Sequence, residues 1–289
     1  MISGAVILDK PSGISSGEYV RKLKPLIGSS KIGHSGTLDP LASGIIIACI
    51  GQMTRFSDYL AGYRKRYSVV MKFGIQTSTG DLDGLVINNS SFIPSLENIL
   101  KCCSKFLGTI EQKPHKYSSV KYKGKPLYFY ARRGVDIERK SRKVKIFSID
   151  YISMQDEYLE LNVSCGKGTY IRSLVEDLAE SLGTCAVVSS LRRTESAEFS
   201  IPDSNKIDEI SVNNIEKKIL PMGDALKCLD KIQCAPEIVD KFKNGQKIEI
   251  EEAKDKNKHL RLFDLEENFI GVLQNYQGLV SPKRLISIK

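Results

Sequence analysis

An α+β fold on a mixed, largely antiparallel sheet is the architecture this sequence predicts, with a small β-rich unit at its C-terminal end. Three observations lead there. Stretches with the period of a strand often follow one another directly, one amphipathic helix stands out near residues 171–182, and the last sixty residues break into short β-like runs. A regular doubly wound fold would alternate strand and helix throughout, and this chain does not.

Residues 5–8, Ala-Val-Ile-Leu, read as the first strand, closed by the turn Asp9-Lys10-Pro11-Ser12-Gly13. Ser15 and Glu18 have the spacing of a capping box, so a short helix is expected to run from there to Pro25–Gly28. A Gly-rich loop, residues 33–44, then leads into an apolar strand, Ile45–Ile50. Tyr67, Val69, Met71 and Phe73 alternate with Ser68, Val70 and Lys72, the period of a half-buried strand. Leu159, Leu161, Val163 and Cys165 alternate in the same way. After the turn Gly166-Lys167-Gly168, the residues Ile171, Leu174, Val175, Leu178, Ala179 and Leu182 share one helical face, with Gly183 placed to end the helix. From about residue 230 the runs Lys247–Ile250, Leu260–Phe263 and Phe269–Leu273, punctuated by Asn244-Gly245, read as an all-β appendage. The expected domains are therefore 1–229 and 230–289.

Composition excludes several classes. With 289 residues, 41% hydrophobic and 27% charged, the chain can build a sizeable core and is not disordered. Its longest strongly apolar run is Ile45–Ile50, far short of the ~20 residues of a membrane helix. Ala5–Leu8 is followed at once by Asp9 and Lys10, unlike a secretory signal. Seven cysteines without a C-x-x-C pair point to buried, reduced thiols in a cytoplasmic protein. The three histidines, His34, His115 and His259, are too scattered to suggest a metal site.

The net charge of +9 is concentrated. Between Lys113 and Lys145 lie eight Lys, four Arg and two acids, so this segment carries the whole excess. Tyr117, Tyr122, Tyr128, Phe129 and Tyr130 are interleaved with them. Cations among rings suit a phosphate backbone with bases to stack. The alternative is a solvated surface hairpin whose rings pack on the core, and the clustering favours nucleic acid.

The most informative stretch is Gly33-His34-Ser35-Gly36-Thr37-Leu38-Asp39-Pro40-Leu41-Ala42-Ser43-Gly44. It meets the spacing of neither a phosphate loop nor a serine-hydrolase elbow, and Asp81 with Asp83 is too little for a calcium loop. What it supplies is one carboxylate, Asp39, in a rigid loop between two leucines.

This loop resembles the motif around the catalytic aspartate of the bacterial TruB-type tRNA pseudouridine-55 synthases. Leu8–Ser16, Lys65-Arg66-Tyr67, Gln76–Asp81, Tyr117–Lys121, Gly166–Arg172, Leu191-Arg192-Arg193 and Leu220-Pro221-Met222 follow in the family's order. The likeness spans roughly residues 4–226. Departures are small: Ser35, Thr37 and Ser43 stand where relatives often have Thr, Ala and Thr. His115 and Lys116 occupy a stretch that often reads Pro-x.

The resemblance implies a pseudouridine-synthase-like catalytic domain with flanking helices, a basic thumb at about 113–145, and a small PUA-like C-terminal domain that binds RNA. It implies isomerisation of uridine 55 in the tRNA T-loop after base flipping, without cofactor or metal, by a stand-alone monomer. Asp39 is the implied catalytic carboxylate, which attacks ribose carbon 1 or uracil carbon 6 or removes a ribose proton. Arg172 would pair with it, and Tyr67 would stack on the base and serve in proton transfer. Tyr170 and Leu191 would line the uracil pocket, while His34 would fill space beside the flipped bases. Lys10, Arg64, Lys65, Arg66, Lys121, Arg132 and Arg133 would meet phosphates. The rivals are a non-catalytic RNA-binding protein and a guide-RNA-dependent relative of the same superfamily.

Overall fold

In the computed structural model, which describes residues 2–287, two large sheets divide the chain, with two small hairpins beside them. The first part supplies β1 (Gly4–Lys10), α1 (Ser16–Arg21), β2 (Ile32–Ser35), β3 (Ser43–Ile50), α2 (Ser57–Ala61) and β4 (Lys65–Phe73). A small hairpin, β5 (Ile75–Thr77) with β6 (Val86–Asn89), precedes α3 (Leu96–Lys105) and β7 (Gly108–Gln112). The basic segment holds β8 (Lys121–Tyr122), β9 (Lys125–Pro126) and α4 (Leu127–Ala131). Then come β10 (Arg142–Gln155), β11 (Tyr158–Cys165), α5 (Ile171–Ser181), β12 (Ala186–Ser196), β13 (Phe199–Ser200), α6 (Ile215–Lys218) and α7 (Met222–Ala225). The C-terminal part is β14 (Asp230–Gln233), α8 (Pro236–Lys243), β15 (Ile248–Glu249), β16 (His259–Phe263), β17 (Phe269–Tyr276) and β18 (Leu279–Leu285).

The large sheet runs β1-β3-β12-β4-β11-β10-β7, with β2 added on β3 and β13 on β12. Its pairings are antiparallel except β3 with β12, which meet in parallel at Ser43 and Gly44. A mixed α+β fold is therefore what forms.

The apolar run of β3 has a simple cause: both its faces are covered. Ile46, Ala48 and Ile50 enter one core with Val6, Leu8 and the buried side of α5. Ile45, Ile47 and Cys49 enter a second with Phe56, Leu60, Leu226 and Val272. Because Val272 belongs to β17, this second core joins the two sheets. β4 shows the expected alternation, with Tyr67, Val69, Met71 and Phe73 buried. Gly44 is required where β3 meets β12: it has φ +101, and a Cβ there would lie 2.2 Å from the Arg193 carbonyl.

Several expectations need correcting. The loop expected over 33–44 is shorter, since Ile32–Ser35 pairs with β3 as β2. α1 stops at Arg21, and Pro25 lies in a 3-10 turn after it. Ser15 does cap it, accepting the Glu18 N–H. The last residues of the basic segment expected over about 113–145 belong to the sheet, because Arg142–Lys145 pair with β7. Val144 and Ile146 point inward there while the charged neighbours face out, so strand period overrides the charge run. The C-terminal unit is not all-β. α8 begins with Pro236 at a position where its missing N–H costs nothing and buries Val239 and Phe242. All seven cysteines are buried and free.

Candidate active site

Asp39 sits in a loop whose carbonyls are almost all taken. Arg193 Nη2 donates to Gly36 O (2.9 Å) and Lys10 Nζ to Pro40 O (3.3 Å). The Gly13 N–H also reaches Pro40 O, and Ser12 Oγ donates to Leu41 O (2.7 Å). Ser16 Oγ and Leu38 form a reciprocal pair, each link 2.8 Å. With Leu38 buried in the main core, the backbone on either side of Asp39 is held.

Across a small pocket of about 80 Å³ stands Arg172, on the first turn of α5. Its Nη2 lies 2.8 Å from Asp39 Oδ2 and donates to Tyr117 O at 2.8 Å. Its Nη1 donates to Thr79 O at 2.8 Å and lies 3.5 Å from Asp81 Oδ2. Only 6% of the arginine side chain is exposed, against 31% for Asp39. The carboxylate thus opens to the pocket rather than being sealed from solvent.

Tyr67, Tyr170 and Leu191 line the same pocket, so five of the expected site residues meet there. Burial pushes the Tyr67 phenol above its ordinary pKa, with nearby Arg193 opposing, and burial raises Tyr170 likewise. Both phenols therefore keep their protons at neutral pH. Gln112 fixes the Tyr170 backbone by accepting its N–H (2.8 Å) and donating to its carbonyl (3.1 Å). The basic segment between β7 and β10 contributes Ser118 and Ser119 to the wall. His34 is not part of the lining. It lies on β2, half-buried, with Nδ1 unpartnered, and burial lowers its pKa, leaving it neutral.

Of the seven expected phosphate contacts, two are corrected. Lys10 is fully buried and donates to the carbonyls of Pro11, Ile14 and Pro40. Lys65 is 7% exposed and donates to Ala61 O and Tyr63 O. Each completes a turn, and burial lowers both to about 8. Arg64, Lys121, Arg132 and Arg133 are exposed, and Arg66 is half-exposed beside Glu195. Arg133 lies 3.5 Å over the Phe129 ring, Lys125 4.4 Å over the same ring and Arg132 5.7 Å over Tyr128.

Asp81 and Arg193 are site residues that sequence reasoning passed over. Asp81 closes the matched segment Gln76–Asp81, and its contact with Arg172 arises only in the folded chain. Arg193 is 1% exposed and ties Gly36 O to Ile45 O from the strand facing Tyr67. A second arginine directly after Leu191-Arg192 was the available signal. A larger cleft of about 380 Å³ runs along α5 past Glu176, Asp177, Glu180, Lys113 and Arg139, but Asp39 is not among its walls. No helix among the described residues is long and apolar enough to cross a membrane.

Three family models match the chain. They describe a TruB family pseudouridylate synthase (N terminal domain) over residues 24–171, a tRNA pseudouridylate synthase B C-terminal domain over 172–227, and a pseudouridine synthase II TruB, C-terminal, over 231–286. A tRNA pseudouridine synthase B of Vibrio parahaemolyticus serotype O3:K6 (strain RIMD 2210633) is 38% identical over 300 residues, spanning 99% of this chain and 95% of the relative. One from Haemophilus influenzae (strain PittEE) is 36% identical over 293 residues, spanning 99% and 96%. Among solved structures, a Cbf5-Nop10-Gar1 complex matches with TM-score 0.74 at 23% identity, over 98% of this chain and 84% of that one. An H/ACA RNP bound to a substrate RNA containing 2'-deoxyuridine matches with TM-score 0.72 at 22% identity, over 99% and 85%. These two show a shared fold.

Proposed function

The chain belongs to the TruB family of pseudouridylate synthases, and from that premise we propose that it isomerises uridine 55 in the T-loop of tRNA, with Asp39 as the catalytic carboxylate. As an isomerase of tRNA uridine it breaks a glycosidic bond, turns the uracil, and joins carbon 5 to the ribose. No atom enters or leaves, so the balance calls for no cofactor. The observation that carries the reading is the Asp39–Arg172 pair at the mouth of a pocket walled by Tyr67, Tyr170 and Leu191.

The physical roles follow. Closing RNA over the pocket takes water away from Asp39, and the guanidinium at 2.8 Å keeps an opposite charge and a hydrogen-bond donor beside the carboxylate. Flipping the uridine out costs a few kcal/mol, and stacking on Tyr67 returns ~1–3 kcal/mol. The Tyr67 hydroxyl, still protonated, can pass a proton. His34, next to the loop on β2, fills space beside the extruded bases. The exposed cations Arg64, Lys121, Arg132 and Arg133, with Arg66, meet phosphates of the T-arm, and the thumb clamps it. Residues 230–289 add a small RNA-binding unit, held to the catalytic sheet through the shared core around Phe56 and Val272. The chain acts alone, as a monomer, in the cytoplasm.

The test is incubation of the purified chain with unmodified tRNA transcript, followed by chemical mapping of pseudouridine. The expected result is modification at position 55 with no added component. Activity that needs a guide RNA or accessory protein would favour the guide-dependent relative, and binding without isomerisation would favour the non-catalytic RNA binder.

A further inference from the structure

We propose that His115, at the thumb root, is a positioning residue for this reaction: it sets the Tyr117 carbonyl on Arg172 and thereby the place of the Asp39 carboxylate. The inference rests on the reading of Asp39 and Arg172 as the reacting pair. His115 is buried, and its Nδ1 accepts the backbone N–H of Tyr117 at 3.2 Å. A ring nitrogen that accepts carries no proton, so the proton sits on Nε2, which faces Glu176 Oε1 at 3.7 Å. The ring lies roughly parallel to that of Tyr117, centroids 6.1 Å apart. The N–H of Tyr117 is thus held by His115 while its carbonyl accepts from Arg172.

A second contact makes the arrangement specific. Gly80 has φ +70, and a Cβ on it would stand 3.1 Å from His115 Nε2 and 2.9 Å from Glu176 Oε1. The imidazole is therefore seated on the backbone between Thr79 and Asp81, the two residues that meet Arg172 Nη1. Every partner of Arg172 other than Asp39 belongs to a segment that His115 touches.

Three substitutions separate a hydrogen-bonding role from simple filling. Asn places an acceptor oxygen where Nδ1 stands, Phe keeps the ring without an acceptor, and Ala removes both. His115→Ala and His115→Phe should each lower kcat on tRNA roughly tenfold or more, since small displacements of a reacting group are costly. KM should stay within about threefold, because the interaction matters in the chemical step. His115→Asn should restore kcat. Exchange of the Tyr117 amide hydrogen, measured in the free protein, should quicken in the Ala and Phe variants and stay slow in the Asn variant. Rescue by Phe rather than Asn, or a Tyr117 amide indifferent to all three changes, would overturn the proposal. Wild-type protein inactive on tRNA would instead overturn the functional reading, and the amide measurement would still decide what His115 does.

Discussion

Arg172 is the fixed member of its pair with Asp39: the guanidinium is buried and engaged on four sides, while the carboxylate 2.8 Å away opens to the pocket. Removing the arginine therefore takes the opposite charge away from Asp81, itself buried, as well as from Asp39. Breaking a buried pair from one side costs ~3–5 kcal/mol, so Arg172→Ala should lower stability by an amount approaching that range, discounted for the exposure of Asp39. Urea unfolding reads this directly. Turnover should vanish while tRNA still binds, and near-normal turnover would remove Arg172 from the site. Arg172→Lys should not substitute, because one ammonium cannot reproduce a planar fork reaching both carboxylates.

Tyr67→Phe separates the two roles of that ring. Stacking survives in Phe and the proton does not. tRNA affinity should be nearly unchanged, while single-turnover rate falls by roughly a hundredfold, the usual scale for losing a general acid or base. An unchanged rate would confine Tyr67 to packing.

The thumb cations give a salt-dependent prediction. Each phosphate contact adds roughly 0.7–0.9 to the slope of log affinity against log salt. Neutralising Lys121, Arg132 and Arg133 together, with one phosphate contact each, should flatten that slope by roughly 2–3. Titrations at several salt concentrations give the slope. An unaltered slope would show that these side chains only decorate the surface, with Arg133 merely resting on Phe129.

Asp177 on α5 should make stability depend on pH. Burial, with Glu176 and Glu180 adding repulsion, raises its pKa to about 6. Its ordinary value is 3.8, so between these values the folded state holds the extra proton and stability falls as pH rises. Asp177→Asn removes the charge. At pH 7.5 the variant should be more stable by ~1 kcal/mol, a figure reduced for solvent screening, and below pH 3.8 the difference should vanish. Calorimetry at the two pH values decides it, and a variant less stable than wild type at pH 7.5 would contradict the assignment.

The parts of the fold legible in the sequence were those where one physical demand acted alone. β4 alternates because one face meets the core, and α5 shows its stripe and its glycine stop for the same reason. β10 was hidden because the basic run that crosses into it masked Val144 and Ile146. α8 was missed because its eight residues lie among turn signals, although Pro236 and the spacing of Val239 and Phe242 were present. In the site, Asp39 stood out through its loop. Asp81 and Lys10 show what a linear reading cannot supply. A carboxylate in a polar stretch turns inward because Arg172, 91 positions along, comes back to meet it. A lysine beside a turn is consumed by three backbone carbonyls.

The most direct measurement compares wild type with Asp39→Asn at enzyme excess, following pseudouridine at position 55 of tRNA in one turnover while binding is measured in parallel. Asn keeps the size of the side chain and removes its charge. Binding should stay close to wild type, with no detectable pseudouridine. Pseudouridine forming at the wild-type rate in the Asn variant would contradict it.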